Sequence, residues 1–137
     1  MSRKLARETV MQVLFQMEIQ EEYDMKIAEN FIQGVIDSKN DKRFIDEIVH
    51  LFIDNKEKID KNIEENLKSW KFNRISKIDL SILRVAVTEI LYREDIPFKV
   101  SINEAIELAK KYSEDESANF INGLLASLVS KKEFKNE

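Results

Sequence analysis

The sequence predicts an all-α protein, and three observations support this prediction. The 137 residues include only two Gly and one Pro, although hairpins, tight turns and barrel corners depend on these residues. Apolar side chains recur every three or four positions along most of the chain, which is the period of a helix with one buried face. Side chains that cap helices stand before several of these segments. We expect a single domain over residues 1–137 with about six or seven helices.

The first half of the chain predicts three helical segments. Apolar residues between positions 5 and 17 predict the first helix, which lies within a basic N-terminal segment at residues 2–19. Asp24 is suited to cap a second helix over residues 27–36. Residues 44–67 predict one long helix or two abutting helices, since Asp54-Asn55 favours a bend or a break.

The second half begins with a short junction at Trp70, which we expect to seal the space between two groups of helices. Residues 75–91 predict the most apolar helix of the chain, so we place it at the centre. Pro97 ends that helix, and Ser101 to Glu104 form a capping-box pattern that predicts the next helix start. A last helix carries the apolar residues 120–128, and residues 131–137 form a polar tail.

The composition argues against catalysis. The chain has no Cys and a single His, so it lacks a thiolate nucleophile and Cys-based zinc sites. Glu47 and His50 have the E-x-x-H spacing of di-iron bundles, but those sites need a second copy of the motif. We therefore expect no enzyme activity, no metal and no cofactor. Because no apolar run is long enough for a membrane span or a signal peptide, we expect a cytoplasmic protein without a membrane partner.

The start of the first helix is the most informative charged segment. Arg3, Lys4 and Arg7 lie within five residues of a chain whose net charge is −4. Cations are unfavourable at a helix N-terminus, which mildly favours some use beyond solubility, and nucleic-acid binding is one candidate for that use. Both interpretations stay open from composition alone.

Three further residues stand out from the helical pattern. Gly123 lies inside an apolar helical run, where it costs roughly 1 kcal/mol relative to Ala, so we expect another helix or chain to approach it closely. Phe120 has two interpretations, a core aromatic or an exposed ring on which a base stacks. Phe15 lies off the apolar stripe of the first helix and has two interpretations of equal weight, an exposed apolar contact or burial under the next helix.

Taken together, these motifs resemble the NusB family of bacterial transcription antitermination factors. The resemblance covers nearly the whole chain, and its most specific part runs from Asp95 to Leu125. It rests on Arg3-Lys4-x-Ala6-Arg7-Glu8, Gln12-x-Leu14-Phe15-Gln16, Trp70, Arg74, Ile82-Leu83-Arg84-x-Ala86-x-x-Glu89, Asp95-Ile96-Pro97, residues 102–110 and residues 120–125.

The resemblance implies a fold of two small helical bundles and a non-catalytic role. Members of the family bind boxA leader RNA of ribosomal RNA operons together with NusE, a ribosomal small-subunit protein, and help RNA polymerase to read through terminators. Carried over to this sequence, the single-stranded RNA surface maps to Arg3, Lys4, Arg7, Glu116, Asn119 and Phe120. The partner surface maps to Phe15, Ile75 and Asp79.

Two alternatives remain at this point. The chain could be a protein interaction module or a homodimer that hides its basic helix in an interface. It could also be the NusB-like domain of a ribosomal RNA methyltransferase, which would require a further C-terminal half. For the fold, Arg84 and Glu89 are five residues apart and cannot pair on one helix face. We expect each to meet another helix, with Glu104 as the candidate partner of Arg84.

Overall fold

The computed structural model describes residues 3–33, 36–69 and 71–131. These residues form seven α-helices, one 3-10 turn and no strand, which confirms the all-α prediction. The helices are α1 (Arg3–Gln20), α2 (Met25–Ile32), α3 (Lys39–Asp54), α4 (Lys56–Glu65), α5 (Lys77–Tyr92), α6 (Phe98–Tyr112) and α7 (Asp115–Ser130), with the 3-10 turn at Phe72–Arg74.

Helix α5 lies at the centre, as its apolar sequence predicts. It contacts α1 and α3, which belong to a first group of helices, and α4, α6 and α7, which form a second group. Helix α2 completes the first group by packing on α1 and α3, and α6 packs along α7 in the second group. No helix among the described residues is both long and apolar enough to cross a membrane.

The helix boundaries follow local chemistry. The Asp24 carboxylate accepts a hydrogen bond from the Lys26 amide at 2.9 Å, which confirms the predicted cap of α2. The long third segment divides into α3 and α4 at Asn55, which ends one helix and begins the next. Ser38 and Ser76 cap α3 and α5 through their hydroxyl oxygens, and the apolar pattern did not identify either residue.

The predicted start of α6 at Ser101 is wrong by one turn. Helix α6 begins at Phe98, directly after Pro97, because the fixed φ of proline suits a helix start. Ser101 therefore lies inside the helix, and its hydroxyl donates to Glu89 Oε1 at 2.7 Å instead of capping α6. The predicted roles of Trp70 and of the polar tail fall on residue 70 and residues 132–137, which lie outside the described residues.

Every residue of α5 from Asp79 to Ile90 is buried, although this segment carries three charged side chains. A buried charge needs a partner, because removing it from water is costly. Arg84 meets this need by donating from Nε and Nη2 to the Asp60 carboxylate, at 2.9 and 2.8 Å, and from Nη1 to Glu18 at 2.8 Å. The expected pair with Glu104 is therefore wrong, since the side of α5 that carries Arg84 faces α1 and α4.

Glu89 is the second of these charges, and its side chain is 0% exposed. Arg7 of α1 donates to the Glu89 carboxylate from Nε at 2.7 Å and from Nη2 at 3.0 Å. Since Ser101 of α6 donates to the same carboxylate, Glu89 joins three helices. The bidentate geometry is the strong form of an arginine–carboxylate pair.

Glu18 lies where the Arg84 network reaches the surface of α1. Burial by itself raises the pKa of Glu18, but hydrogen bonds from Tyr23 and Arg84 outweigh it and lower this pKa from 4.5 to about 2. Tyr23 donates to Glu18 Oε1 at 2.6 Å, and burial together with this bond raises the pKa of Tyr23 to about 12. The carboxylate form of Glu18 thus stabilises the folded state.

Tyr23→Phe removes one hydrogen bond to Glu18 and keeps the aromatic ring. We expect a loss of about 1.5 kcal/mol at pH 7. The pKa of Glu18 lies below its ordinary value, so this contribution is complete above about pH 4.5 and disappears as the pH falls toward 2. Chemical denaturation of the wild type and of Tyr23→Phe at pH 7 and at pH 3 measures the difference.

The control is Tyr92→Phe, because the buried Tyr92 hydroxyl has no hydrogen-bond partner among the described residues. A loss for Tyr23→Phe that is equal at both pH values would contradict the role of Glu18.

Arg7→Met removes the charge that compensates buried Glu89. We expect a loss of about 3–5 kcal/mol in the free energy of unfolding, because the buried Glu89 carboxylate loses the guanidinium that pairs with both of its oxygens. The matched control is Lys4→Met, whose side chain is 76% exposed and whose loss should stay within about 0.5 kcal/mol. Urea denaturation of both variants measures this difference. Equal unfolding midpoints for the two variants would show that the Arg7–Glu89 pair does not stabilise the folded state.

Candidate functional site

The first candidate surface is the start of α1, where two of the three predicted cations are exposed. The Arg3 guanidinium lies 4.4 Å from the centre of the Phe44 ring, which holds it in a cation–π contact. Lys4 Nζ lies 3.5 Å from a Glu104 carboxylate oxygen. We call Arg3 and Lys4 the α1 patch.

Arg7 does not belong to this patch, which corrects the prediction for this residue. It is 5% exposed and holds Glu89. The prediction placed Arg7 outside because it shares a helix face with Arg3, four residues earlier. One helical turn further along α1, however, the same face passes under α5, where Glu89 requires a cation.

The second candidate surface is a groove of about 310 Å³ between the start of α5 and the start of α7. We call it the Asp79 groove. It brings together Ile75 and Asp79 from the predicted partner surface with Glu116 and Phe120 from the predicted RNA surface. Its remaining lining residues are Arg74, Ser76 and Ser117.

The ring of Phe120 also lines a neighbouring groove of about 410 Å³, the Gly123 groove. Asn119 and Gly123 form part of its wall, with Asn66, Lys68, Ser69 and Leu124. Phe120 is half-buried: it packs against the core and also lines this groove. Base stacking on its ring stays a prediction.

Gly123 is exposed at this groove. A Cβ atom at this position would meet nothing within 4 Å among the described residues. The expected close approach of another helix of this chain is therefore not observed there. An approach by another molecule stays a prediction.

Asp79 is buried rather than displayed, with 8% of its surface exposed. Ser113 Oγ donates to Asp79 Oδ1 and Ser117 Oγ donates to Oδ2, each at 2.9 Å. The two serine hydroxyl oxygens lie 2.8 Å apart. The sequence analysis expected Asp79 to contact the protein partner at the surface. The structure corrects this expectation, since serine hydroxyls of the same chain bind both Asp79 carboxylate oxygens.

The other two predicted partner residues are more accessible. Phe15 is half-buried on α1, and Ile75 is half-buried directly after the 3-10 turn. Lys77 Nζ lies 3.2 Å from a Glu18 carboxylate oxygen, so the second half of α1 runs beside the start of α5. Phe15 consequently lies toward the same end of the molecule as Ile75, although it does not line the Asp79 groove.

The α1 patch and the Asp79 groove lie toward opposite ends of α5. Arg7 pairs with Glu89 near one end, and Asp79 stands ten residues earlier, which is about 15 Å along the helix axis. Helix α6 connects the two surfaces, because Glu104 contacts Lys4 and Ser113 contacts Asp79. Two exposed cations, Lys110 and Lys111, occupy the last turn of α6, and Lys111 forms an ion pair with Glu8.

Sequence reasoning missed several residues of these surfaces. Ser113 and Ser117 carried no signal beyond their suitability for helix ends, since only the tertiary structure brings them to Asp79. Lys68 lies in the segment before the 3-10 turn, where no periodic pattern identifies it. Among the described residues, no three His, Cys, Asp or Glu side chains are grouped to hold a metal ion.

Comparison with known proteins gives a consistent result. The NusB family model matches residues 4–130. A transcription antitermination protein NusB from Clostridium novyi (strain NT) is 50% identical over 131 residues, which cover 94% of this chain and 98% of that protein.

Solved structures share the fold. A NusB structure from T. maritima superposes with a TM-score of 0.88 at 34% identity and covers 96% of this chain and 92% of its own. A chain in the crystal structure of a plectonemic RNA supercoil has a TM-score of 0.87 at 25% identity, with 94% of each chain covered. The length of the family match, the sequence identity and the shared fold agree, and the chain belongs to the NusB family.

Proposed function

We propose that this protein is a cytoplasmic, non-catalytic transcription antitermination factor that binds boxA leader RNA of ribosomal RNA operons. In this proposal it acts with NusE and assists RNA polymerase in reading through terminators. The observation that carries the proposal is the Asp79 groove, because Phe120 and Glu116 meet there beside Arg74. The antitermination name of a relative that is 50% identical supports the same conclusion.

The α1 patch contributes phosphate contacts. Arg3 is held by the Phe44 ring at 4.4 Å, so its guanidinium loses little freedom when a phosphate binds. Lys4 can exchange its contact with Glu104 for a phosphate, because its side chain is 76% exposed. Such contacts hold the RNA without selecting its sequence.

The Phe120 region contributes base contacts. An aromatic ring open on two sides provides a stacking surface for an unpaired base. Asn119 on the Gly123 groove and Glu116 on the Asp79 groove place polar groups on either side of that ring. Their donors and acceptors can read base edges, which is where sequence selectivity arises.

The RNA strand reaches from one surface to the other over α6. The exposed cations of its last turn, Lys110 and Lys111, lie on this path. They supply positive charge between two surfaces that are about 15 Å or more apart along the axis of α5. This arrangement favours an extended single strand over a compact ligand.

The protein partner is proposed to bind at the end of the molecule that carries Phe15 and Ile75. Both side chains are apolar and half-buried, and such residues lose further apolar surface when a partner covers them. Because Ile75 also lines the Asp79 groove, a partner at this position would stand beside the bound RNA.

A salt titration of boxA RNA binding separates the two kinds of contact. The double variant Arg3→Ala/Lys4→Ala should reduce the slope of log affinity against log salt by about 0.7 for each lost phosphate contact. Phe120→Ala should leave the slope unchanged and weaken binding by roughly 1–3 kcal/mol at every salt concentration. Phe120→Tyr keeps the ring and should bind nearly as well as the wild type.

Lys58→Ala/Lys61→Ala is the charge-matched control for the double variant, because both lysines are exposed on α4, away from the proposed surfaces. Fluorescence anisotropy at four salt concentrations, with and without NusE, measures all proteins. Equal slopes for the two double variants, together with an unchanged affinity for Phe120→Ala, would refute the proposed RNA surface. A tight homodimer unaffected by RNA and NusE would instead favour an interaction module.

A further inference from the structure

We propose that Asp79 is a positioning residue, which holds the first turn of α7 so that Phe120 and Glu116 face the RNA. This inference rests on the proposed function and deepens it. It replaces the expected role of Asp79 as a direct contact of the protein partner. The juxtaposition that carries it is a buried α5 carboxylate between two serines at the junction of α6 and α7.

Helix α7 begins without a side-chain cap. Glu114 precedes the helix, and its side chain forms no capping hydrogen bond. A helix start without a side-chain cap leaves amide donors unsatisfied and is free to fray. The position of this turn therefore depends on contacts with other parts of the chain.

Asp79 supplies contacts that hold this turn. Its carboxylate accepts from Ser113, which ends α6, and from Ser117 in the first turn of α7. The negative charge also lies near the N-terminal end of α7, where the helix dipole favours an anion. One side chain thus fixes both sides of the α6–α7 junction.

The α6–α7 junction is directly connected to the proposed RNA surface. Ser117 lies between Glu116 and Asn119 in sequence, and Phe120 follows it by three residues, on the same side of the helix. Asp79, Glu116, Ser117 and Phe120 all line one groove. A shift of the first turn of α7 would consequently move the stacking ring and the acidic group together.

Asp79→Asn provides a test whose sign separates positioning from simple electrostatics. Removal of a negative charge beside bound RNA should strengthen binding if charge alone matters. If Asp79 positions Phe120, the substitution should weaken boxA binding by about tenfold, which lies within the range of one stacked base. The control is Asp115→Asn, an exposed residue of the same turn, which should bind at least as tightly as the wild type.

A double-mutant cycle with Phe120→Ala identifies the route of the effect. In the Phe120→Ala background, Asp79→Asn should weaken RNA binding clearly less than in the wild type, since the ring is absent and only the displacement of Glu116 remains. Equal losses in both backgrounds would overturn the inference. A loss of NusE affinity without a loss of RNA affinity would also overturn it and restore Asp79 as a partner contact.

Amide hydrogen exchange tests the positioning role of Asp79 in the absence of RNA. Amide hydrogen exchange at residues 116–120 should be faster in Asp79→Asn and Ser117→Ala than in the wild type, while Asp115→Asn should leave it unchanged. Unchanged protection in the first two variants would overturn the positioning role. If wild type and Phe120→Ala bind RNA equally, the proposed function fails, whereas the exchange result still decides the role of Asp79.

Discussion

The structure depends on the complete burial of α5. Each residue from Asp79 to Ile90 is buried, so the charged side chains of this helix must find partners inside the protein. Asp79, Arg84 and Glu89 follow one another at intervals of five residues. Each step turns about 140° beyond one full rotation, so the three side chains point in three different directions.

Each of these directions leads to a different set of neighbours. Asp79 binds the α6–α7 junction, Arg84 binds α1 and α4, and Glu89 binds α1 and α6. Apolar packing alone tolerates small rotations and shifts, whereas a paired buried charge allows few alternatives. The three charges therefore set how the surrounding helices lie against α5, and with them the positions of the ligand surfaces.

This constraint also decides which cations are free. Arg7 and Arg84 are both used inside, although Arg7 lies in a basic segment that looks suited to a surface. Arg3 and Lys4 remain exposed because α1 extends past the point where α5 covers it. The cations of the N-terminal segment thus have two roles: Arg7 forms an internal ion pair, whereas Arg3 and Lys4 stay on the surface. Their proximity in the sequence does not show which cation has which role.

Much of the fold could be predicted from the sequence, because helical periodicity, the Asp24 cap and the break at Asn55 act locally. Pro97, predicted to end α5, instead precedes α6, and α5 ends at Tyr92. The resemblance to the family assigned Glu116 and Phe120 to the RNA surface and Ile75 to the partner surface, whereas the structure places all three along one groove. The missed features are tertiary. Which helices meet decides that Arg7 is buried, which carboxylates pair with Arg84 and that Asp79 points inward. Residue spacing along one helix does not contain that information.

Photocrosslinking of boxA RNA that carries 4-thiouridine, followed by mass spectrometry of the crosslinked peptides, tests most directly whether these surfaces bind RNA. We expect crosslinks in the first two turns of α7, including Phe120, and in the first turn of α1, with the intervening signal on the last turn of α6. Crosslinks confined to the outer faces of α2, α3 and α4 would contradict this placement of the RNA.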